Sequence, residues 1–310
     1  MNPQNCSALM ATSAAPEHNA RYYGLCCIGG ILACGTTHTS ITPLDLVKCT
    51  MQTNPGKYSS LLDGLKKSVK TGINRNGIYK GWQPTFIGYS IQGCFKFGFY
   101  EIFKDLYTKL AGEERAKHYK NTLYLSASAS AEFFADMGLC PMETVKVRIQ
   151  TSPAEVNYPT KLGPALKGIT STEGFGGLYK GLVPLWCRQI PYTMVKFALF
   201  ENVVALFYKY AFTKPRESYS KATQLCVTFM SGYIAGIFCA IVSHPADSVM
   251  SKLCTTEGGK IGPIIKELGW KGMWNGLATR ILMIGTLTGL QWWIYDTWKV
   301  FCGFGSSGGH

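Results

Sequence analysis

The chain has 310 residues, of which 46% are apolar and only 16% charged, with a formal net charge of +13. So small a charged fraction points away from an ordinary soluble domain. The surplus of Lys and Arg suits anionic phospholipid headgroups or an anionic solute, whereas its scatter through loops, without any nucleic-acid motif, argues for no nucleic acid partner.

Residues 1–20 lack the basic and apolar regions of a secretory signal and the arginine richness of a transit peptide, and read as a flexible N-terminal segment. From Tyr22 to Leu44 there is no Asp, Glu, Lys or Arg, a run long enough to span a bilayer. Apolar stretches with a few charges follow at 83–103, 121–140 and 182–212, then uncharged runs at 222–246 and 281–295. These predict six membrane spans, the charge-bearing ones facing something polar. The 12 cysteines fall at irregular spacings, mostly inside spans, with no C-x-x-C pair, so they read as reduced, buried small hydrophobes.

One unit recurs three times. "PLDLVKCTMQ" starts at Pro43, "PMETVKVRIQ" at Pro141 and "PADSVMSKLC" at Pro245, offsets of 98 and 104 residues. Each is followed by a basic linker and an aromatic–Gly step, "GIYKG", "GLYKG" or "GMWNG". A second span then closes on "FYEIFK" (Glu101), "LFENVV" (Glu201) or "IYDTWK" (Asp296). Proline removes a helix hydrogen bond and kinks each odd span, so three kinked helices converge at one mouth. There Asp45 can pair with Lys146, and Asp247 with Lys48. At the opposite mouth stand Glu101, Lys104, Glu201, Asp296 and Lys299. Met250 replaces the third base, which leaves Glu143 without a ring partner, and Val204 replaces a base at the other mouth. Two pairs per mouth are therefore expected.

Polar residues confined to single copies are candidates for meeting a solute. Five residues before the prolines lie His38, Asp136 and Ala240, and nine before lie Cys34, Glu132 and Gly236. Five before the closing acids lie Lys96, Lys196 and Gln291, and nine before lie Gln92, Tyr192 and Leu287. Such steps keep each set on about one helix face. Lys96, Lys196, Gln92, Gln291 and Tyr192, with Arg188 and Arg280 nearer the proline side, make a small anion site. His38, Glu132 and Asp136 are titratable groups suited to a proton relay. The bland alternative makes Lys96–Asp136 or Lys196–Glu132 buried structural pairs.

The repeated P-x-[DE]-x-x-[KR] signature, with its one flaw at Met250, resembles the mitochondrial carrier family over about residues 20–303. That resemblance implies an all-α membrane protein of six transmembrane helices in three tandem repeats, here 21–112, 113–213 and 214–303, with pseudo-threefold symmetry, short matrix-side helices and a flexible tail at 304–310. It places the proline mouth at the matrix and the other at the cytoplasm. "GTTHTSITPLDLVKC", "GYSIQGCFKFGFYE", "SASAEFFADMGLCPME" and "VPLWCRQIPYTMVKF" are similar to the phosphate-transporting branch. This implies import of inorganic phosphate with protons, or in exchange for hydroxide, across the inner membrane, with inner-membrane lipid such as cardiolipin as a partner and no cofactor. In that branch residues matching His38, Asp45, Glu132, Asp136, Lys96 and Lys196 are functional. Some members are implicated in copper delivery, and Cys34 with His38 keeps Cu(I) open as cargo. A structural or assembly role in an inner-membrane complex is the remaining alternative. An enzyme is excluded by the lack of a nucleophile–base–acid set or a phosphate loop.

Overall fold

The computed structural model describes residues 20–53, 58–72, 77–152, 158–212, 218–255, 261–274 and 277–304. Among them all regular structure is helical. The side chains of Lys48, Asp247 and Met250 lie outside the described residues, and with them the expected Asp247–Lys48 pair and the gap at Met250; residues 1–19 and 305–310 of the two terminal segments do too.

The first pass is α1 (Ala20–Ser40) and α2 (Thr42–Thr53), followed by short α3 (Leu61–Thr71) and the long return α4 (Trp82–Ala111). After α5 (Glu113–His118) the second unit runs through α6 (Lys120–Thr151), α7 (Leu162–Glu173) and α8 (Leu182–Leu206). The third is α9 (Lys221–Thr255), α10 (Ile261–Met273) and α11 (Leu277–Phe301). The signature prolines act unequally. At Pro43 the helix breaks for one residue and restarts at once, Leu44 N and Asp45 N both donating to Ile41 O, whereas α6 and α9 continue through Pro141 and Pro245.

The passes form a closed ring. α1 packs on α4, α4 on α6, α6 on α8, α8 on α9, α9 on α11, and α11 returns to α1. Beyond the break α2 leans across to both α6 and α9, so the odd passes converge at the proline end. Glycines set the closest crossings: a Cβ on Gly93 would stand 2.2 Å from the Gly30 carbonyl oxygen, and one on Gly236 2.8 Å from Gly285 Cα. Small residues at such crossings are how helices approach where lipid supplies no hydrophobic drive. The short helices dock at the proline end, α3 on α2, α7 on α6 and α10 on α9. α7 does so by burying Ala165 and Ile169 against Val145 and Ile149.

Burial is inverted relative to a soluble protein. Phe86, Phe133, Phe134, Met137, Met230, Phe238, Val242 and Trp293 are exposed on the outside, while Gln92, Lys96, Glu132, Asp136, Lys196 and Gln291 are buried within. An apolar exterior around a polar interior suits lipid as the outer solvent. Among the described residues two helices qualify to cross a membrane by length and apolarity alone, Leu185–Ala211 and Lys221–Pro245. In the others, glycines at the crossings and polar residues turned inward dilute the hydropathy, as expected for spans that face a polar interior.

Candidate functional site

Between the two ends of the ring lies a cavity of about 100 Å³. One water needs roughly 10–15 Å³ of such space, so the cavity accepts several waters or one small oxyanion. Helix spacing gathers its walls. α1 contributes His38, α2 Asp45, α4 Tyr89, Gln92 and Lys96, α8 Arg188, Tyr192 and Lys196, and α11 Arg280 and Gln291. Every residue expected to bind the anion thus faces one space. Tyr89, Ser243 and Gln189 also line it and were not expected. Tyr89 stands seven residues before Lys96 and three before Gln92, so the same face spacing identifies it.

Glu132 and Asp136 sit behind this wall, fully buried on α6. Lys96 Nζ reaches across from α4 to lie 2.9 Å from Glu132 Oε2. The side-chain amide of Gln92 donates to both acids, to Glu132 Oε1 at 3.0 Å and Asp136 Oδ1 at 3.2 Å. Asp136 Oδ2 is buried without a hydrogen bond. The two pairs of the bland alternative are not the ones made. Lys96 takes Glu132 rather than Asp136, and Lys196 donates instead to Gln291 Oε1. Gln92, not His38, touches the two carboxyl groups. The His38 imidazole stacks on Tyr89 with centroids 3.6 Å apart and an interplanar angle of 7°. Arg280 donates to Ser243 Oγ at 2.9 Å, and the Tyr192 hydroxyl is 3.3 Å from Thr288 Oγ1.

At the proline end Lys146 Nζ lies 3.2 Å from Asp45 Oδ2, the pair that the signature predicts. The same ammonium is 3.4 Å from Glu143 Oε2 one turn away on α6, a contact within one helix rather than across the ring. The opposite end holds the second set of acids and bases. Lys104 binds Glu101 at 2.6 Å on α4, Thr228 donates to Asp296 at 2.7 Å, and Lys299 approaches the Tyr22 hydroxyl at 3.5 Å; Glu201 is half-buried. What fills this mouth is aromatic. Trp292 stacks on Phe200 at 3.5 Å, Phe97 on Tyr295 at 4.2 Å, and Phe197 meets Tyr100 at 4.1 Å. These rings directly follow Lys96, Lys196 and Gln291 or directly precede the closing acids, two tiers from corresponding positions of the three repeats.

No group of three or more His, Cys, Asp or Glu placed to hold a metal occurs among the described residues. Cys34 packs against α4, 2.7 Å from where a Gly93 Cβ would stand, and does not line the cavity with His38. The pairing that kept copper open is thus not made.

A family model described as mitochondrial carrier protein matches residues 20–111, 117–211 and 221–305. The chain is 55% identical over 297 residues to the mitochondrial phosphate carrier protein of Caenorhabditis elegans, covering 96% of this chain and 86% of that one. It is 53% identical over 305 residues to solute carrier family 25 member 3 of Bos taurus, covering 96% and 83%. It is 52% identical over 298 residues to the probable mitochondrial phosphate carrier protein of Schizosaccharomyces pombe, covering 94% of each. With all three units matched and relatives this similar spanning nearly the whole length, the chain belongs to the mitochondrial carrier family.

Proposed function

We propose that the chain carries inorganic phosphate together with protons across the mitochondrial inner membrane by alternating access. As a mitochondrial carrier it is a multi-pass transporter of that membrane and not an enzyme. The relatives named as phosphate carriers support phosphate as the solute, and the cavity's size and cations agree with a small oxyanion. The exposed apolar belt suits inner-membrane lipid as a partner, and the net charge of +13 suits an anionic lipid such as cardiolipin.

The observation that carries proton coupling is the Lys96–Glu132 pair. While Glu132 is charged it occupies Lys96. A proton on the Glu132–Asp136 pair removes the anion from this contact and leaves Lys96 for phosphate. Proton and phosphate thus favour each other's binding, and by linkage the effect is reciprocal. Lys196 and Gln291, bonded to each other across α8 and α11, continue the wall, with Arg188 and Arg280 toward the matrix. Opening of the Asp45–Lys146 contact at the matrix end, or of the aromatic tiers at the cytoplasmic end, then exposes the loaded site to one side. Carrying a proton in with phosphate and carrying a hydroxide out move the same net charge, so one site serves either description.

The test is uptake of labelled phosphate by the purified chain in liposomes. Uptake should accelerate when the outside is acid and fall when a protonophore collapses the gradient. Failure to take up phosphate under a gradient, by vesicles that exchange another anion, would sink the proposal.

A further inference from the structure

His38 and Lys146 belong to different repeats, yet both address one ring. Tyr89 of α4 is 6% exposed, packed with Leu139, Cys140 and Leu185. The His38 imidazole lies flat on it at 3.6 Å, and Lys146 Nζ stands 5.2 Å from its centroid. Lys146 is also the base of the matrix-side contact with Asp45. An aromatic face attracts a cation, and two cations drawn to one ring repel each other in a buried setting that salt screens little.

We propose that Tyr89 is a positioning residue that couples the charge on His38 to the matrix-side gate. A protonated His38 competes with Lys146 for the Tyr89 face and, because Asp45 lines the same cavity, for the Asp45 carboxylate as well. Lys146 is loosened from Tyr89 on α4 and from Asp45 on α2. Proton arrival at His38 and release of the matrix contact become one event. The other charged groups facing the cavity are Lys96 from α4, Arg188 and Lys196 from α8 and Arg280 from α11. Among the described residues all of these are cations, so Asp45 is the one carboxylate in that lining to which a charged His38 can turn. The inference rests on the reading that protons move with phosphate.

The experiment compares two rates in liposomes, phosphate uptake driven by a pH gradient and phosphate/phosphate exchange at equal pH. Tyr89→Phe keeps the ring and should keep the ratio of the two rates. Tyr89→Leu removes the π face and should lower that ratio by about tenfold, the scale of one desolvated cation–π contact. Because Leu also alters packing, fluorinated phenylalanines at position 89 provide a second series, since fluorine weakens the π face with little change of shape. The ratio should fall stepwise with fluorination. A flat series, or a Leu variant that loses both rates in equal proportion, overturns the role of Tyr89 while leaving proton-coupled transport standing. A wild-type protein whose uptake ignores the gradient overturns both.

Discussion

Removal of the charge on Lys96 tests whether the inter-repeat pair is a working part or only a structural one. Lys96 and Glu132 side chains are 5% and 0% exposed and 2.9 Å apart. At an effective dielectric of about 20 their gross attraction is roughly 6 kcal/mol, most of which offsets the cost of taking two ions out of water. Breaking such a pair from one side leaves the other charge buried and costs about 3–5 kcal/mol. Lys96→Gln and Glu132→Gln should each lower the melting temperature of the detergent-solubilised protein by on the order of 10 °C, and the double variant should recover most of that loss. Uptake should not follow stability: Lys96→Gln and the double variant both lose phosphate uptake, because the anion's ligand is gone in each. Additivity of the two stability losses within about 0.5 kcal/mol would show that the pair does not interact. Normal uptake by the double variant would show that Lys96 serves the fold and not the solute.

Three further outcomes follow from particular contacts. Gly93→Ala places a Cβ 2.2 Å from the Gly30 carbonyl oxygen. It should force α1 off α4 and be seen as a sharp loss of folded protein in size-exclusion chromatography, whereas Gly24→Ala, with nothing within 4 Å, should be neutral. Phe200→Ala empties the place stacked on Trp292 at 3.5 Å. It should cost about 3–5 kcal/mol and raise the passive proton leak of liposomes, measured by an entrapped pH dye. On the surface at the proline end the Glu173 carboxyl, at the end of α7, is pulled down to about 2 by hydrogen bonds from Lys180 and Arg148. A carboxyl depressed when folded contributes stability that is complete above its ordinary value near 4.5 and is lost as pH falls toward 2. Glu173→Gln should therefore quicken amide exchange in α7 at neutral pH, and the difference from wild type should vanish near pH 2.

The repeat was legible because its signature joins residues that are individually unwelcome in a span, a proline, an acid and a base, in one order at a nearly constant interval. The cavity was legible for a related reason. Lys96 and Gln92, or Lys196 and Tyr192, stand four residues apart, and a helix puts such residues on one face whatever surrounds it. Partner choice was not legible. Which acid Lys96 meets depends on how α4 and α6 are rotated and how closely they approach. Notches such as Gly88 against Met142 and Gly138 against Ile91 set that approach, and no spacing within one helix reveals it. The aromatic filling of the mouth opposite the prolines was hidden in plain composition, since Phe97, Phe200 and Trp292 look like ordinary span residues until six helices bring them together. The unequal action of Pro43 and Pro141 was hidden as well, because a proline states which hydrogen bond is missing and not whether the neighbours hold the helix straight.

The charges at mid-depth carry one more consequence. Threefold symmetry would give each repeat the same face, yet the third supplies only Gln291, Leu287, Ala240 and Gly236 at these positions. The ionisable groups collect on one side of the ring, where α6 lies between α4 and α8, so that Lys96 and Lys196 flank the helix carrying Glu132 and Asp136. With both carboxyl groups ionised, the two ammonium groups make this layer neutral when empty. A phosphate monoanion entering alone would leave a net buried charge, which is costly without a counter-charge. One proton taken up by the carboxyl pair restores neutrality. On the proposed reading the coupling ratio therefore follows from the count of charges in one layer. Glu132→Gln, which fixes one site in the neutral form, should let phosphate monoanion bind without that proton. Phosphate/phosphate exchange should persist in this variant while its dependence on acid pH is lost. An exchange rate that keeps the wild-type pH profile would show that the proton is held elsewhere.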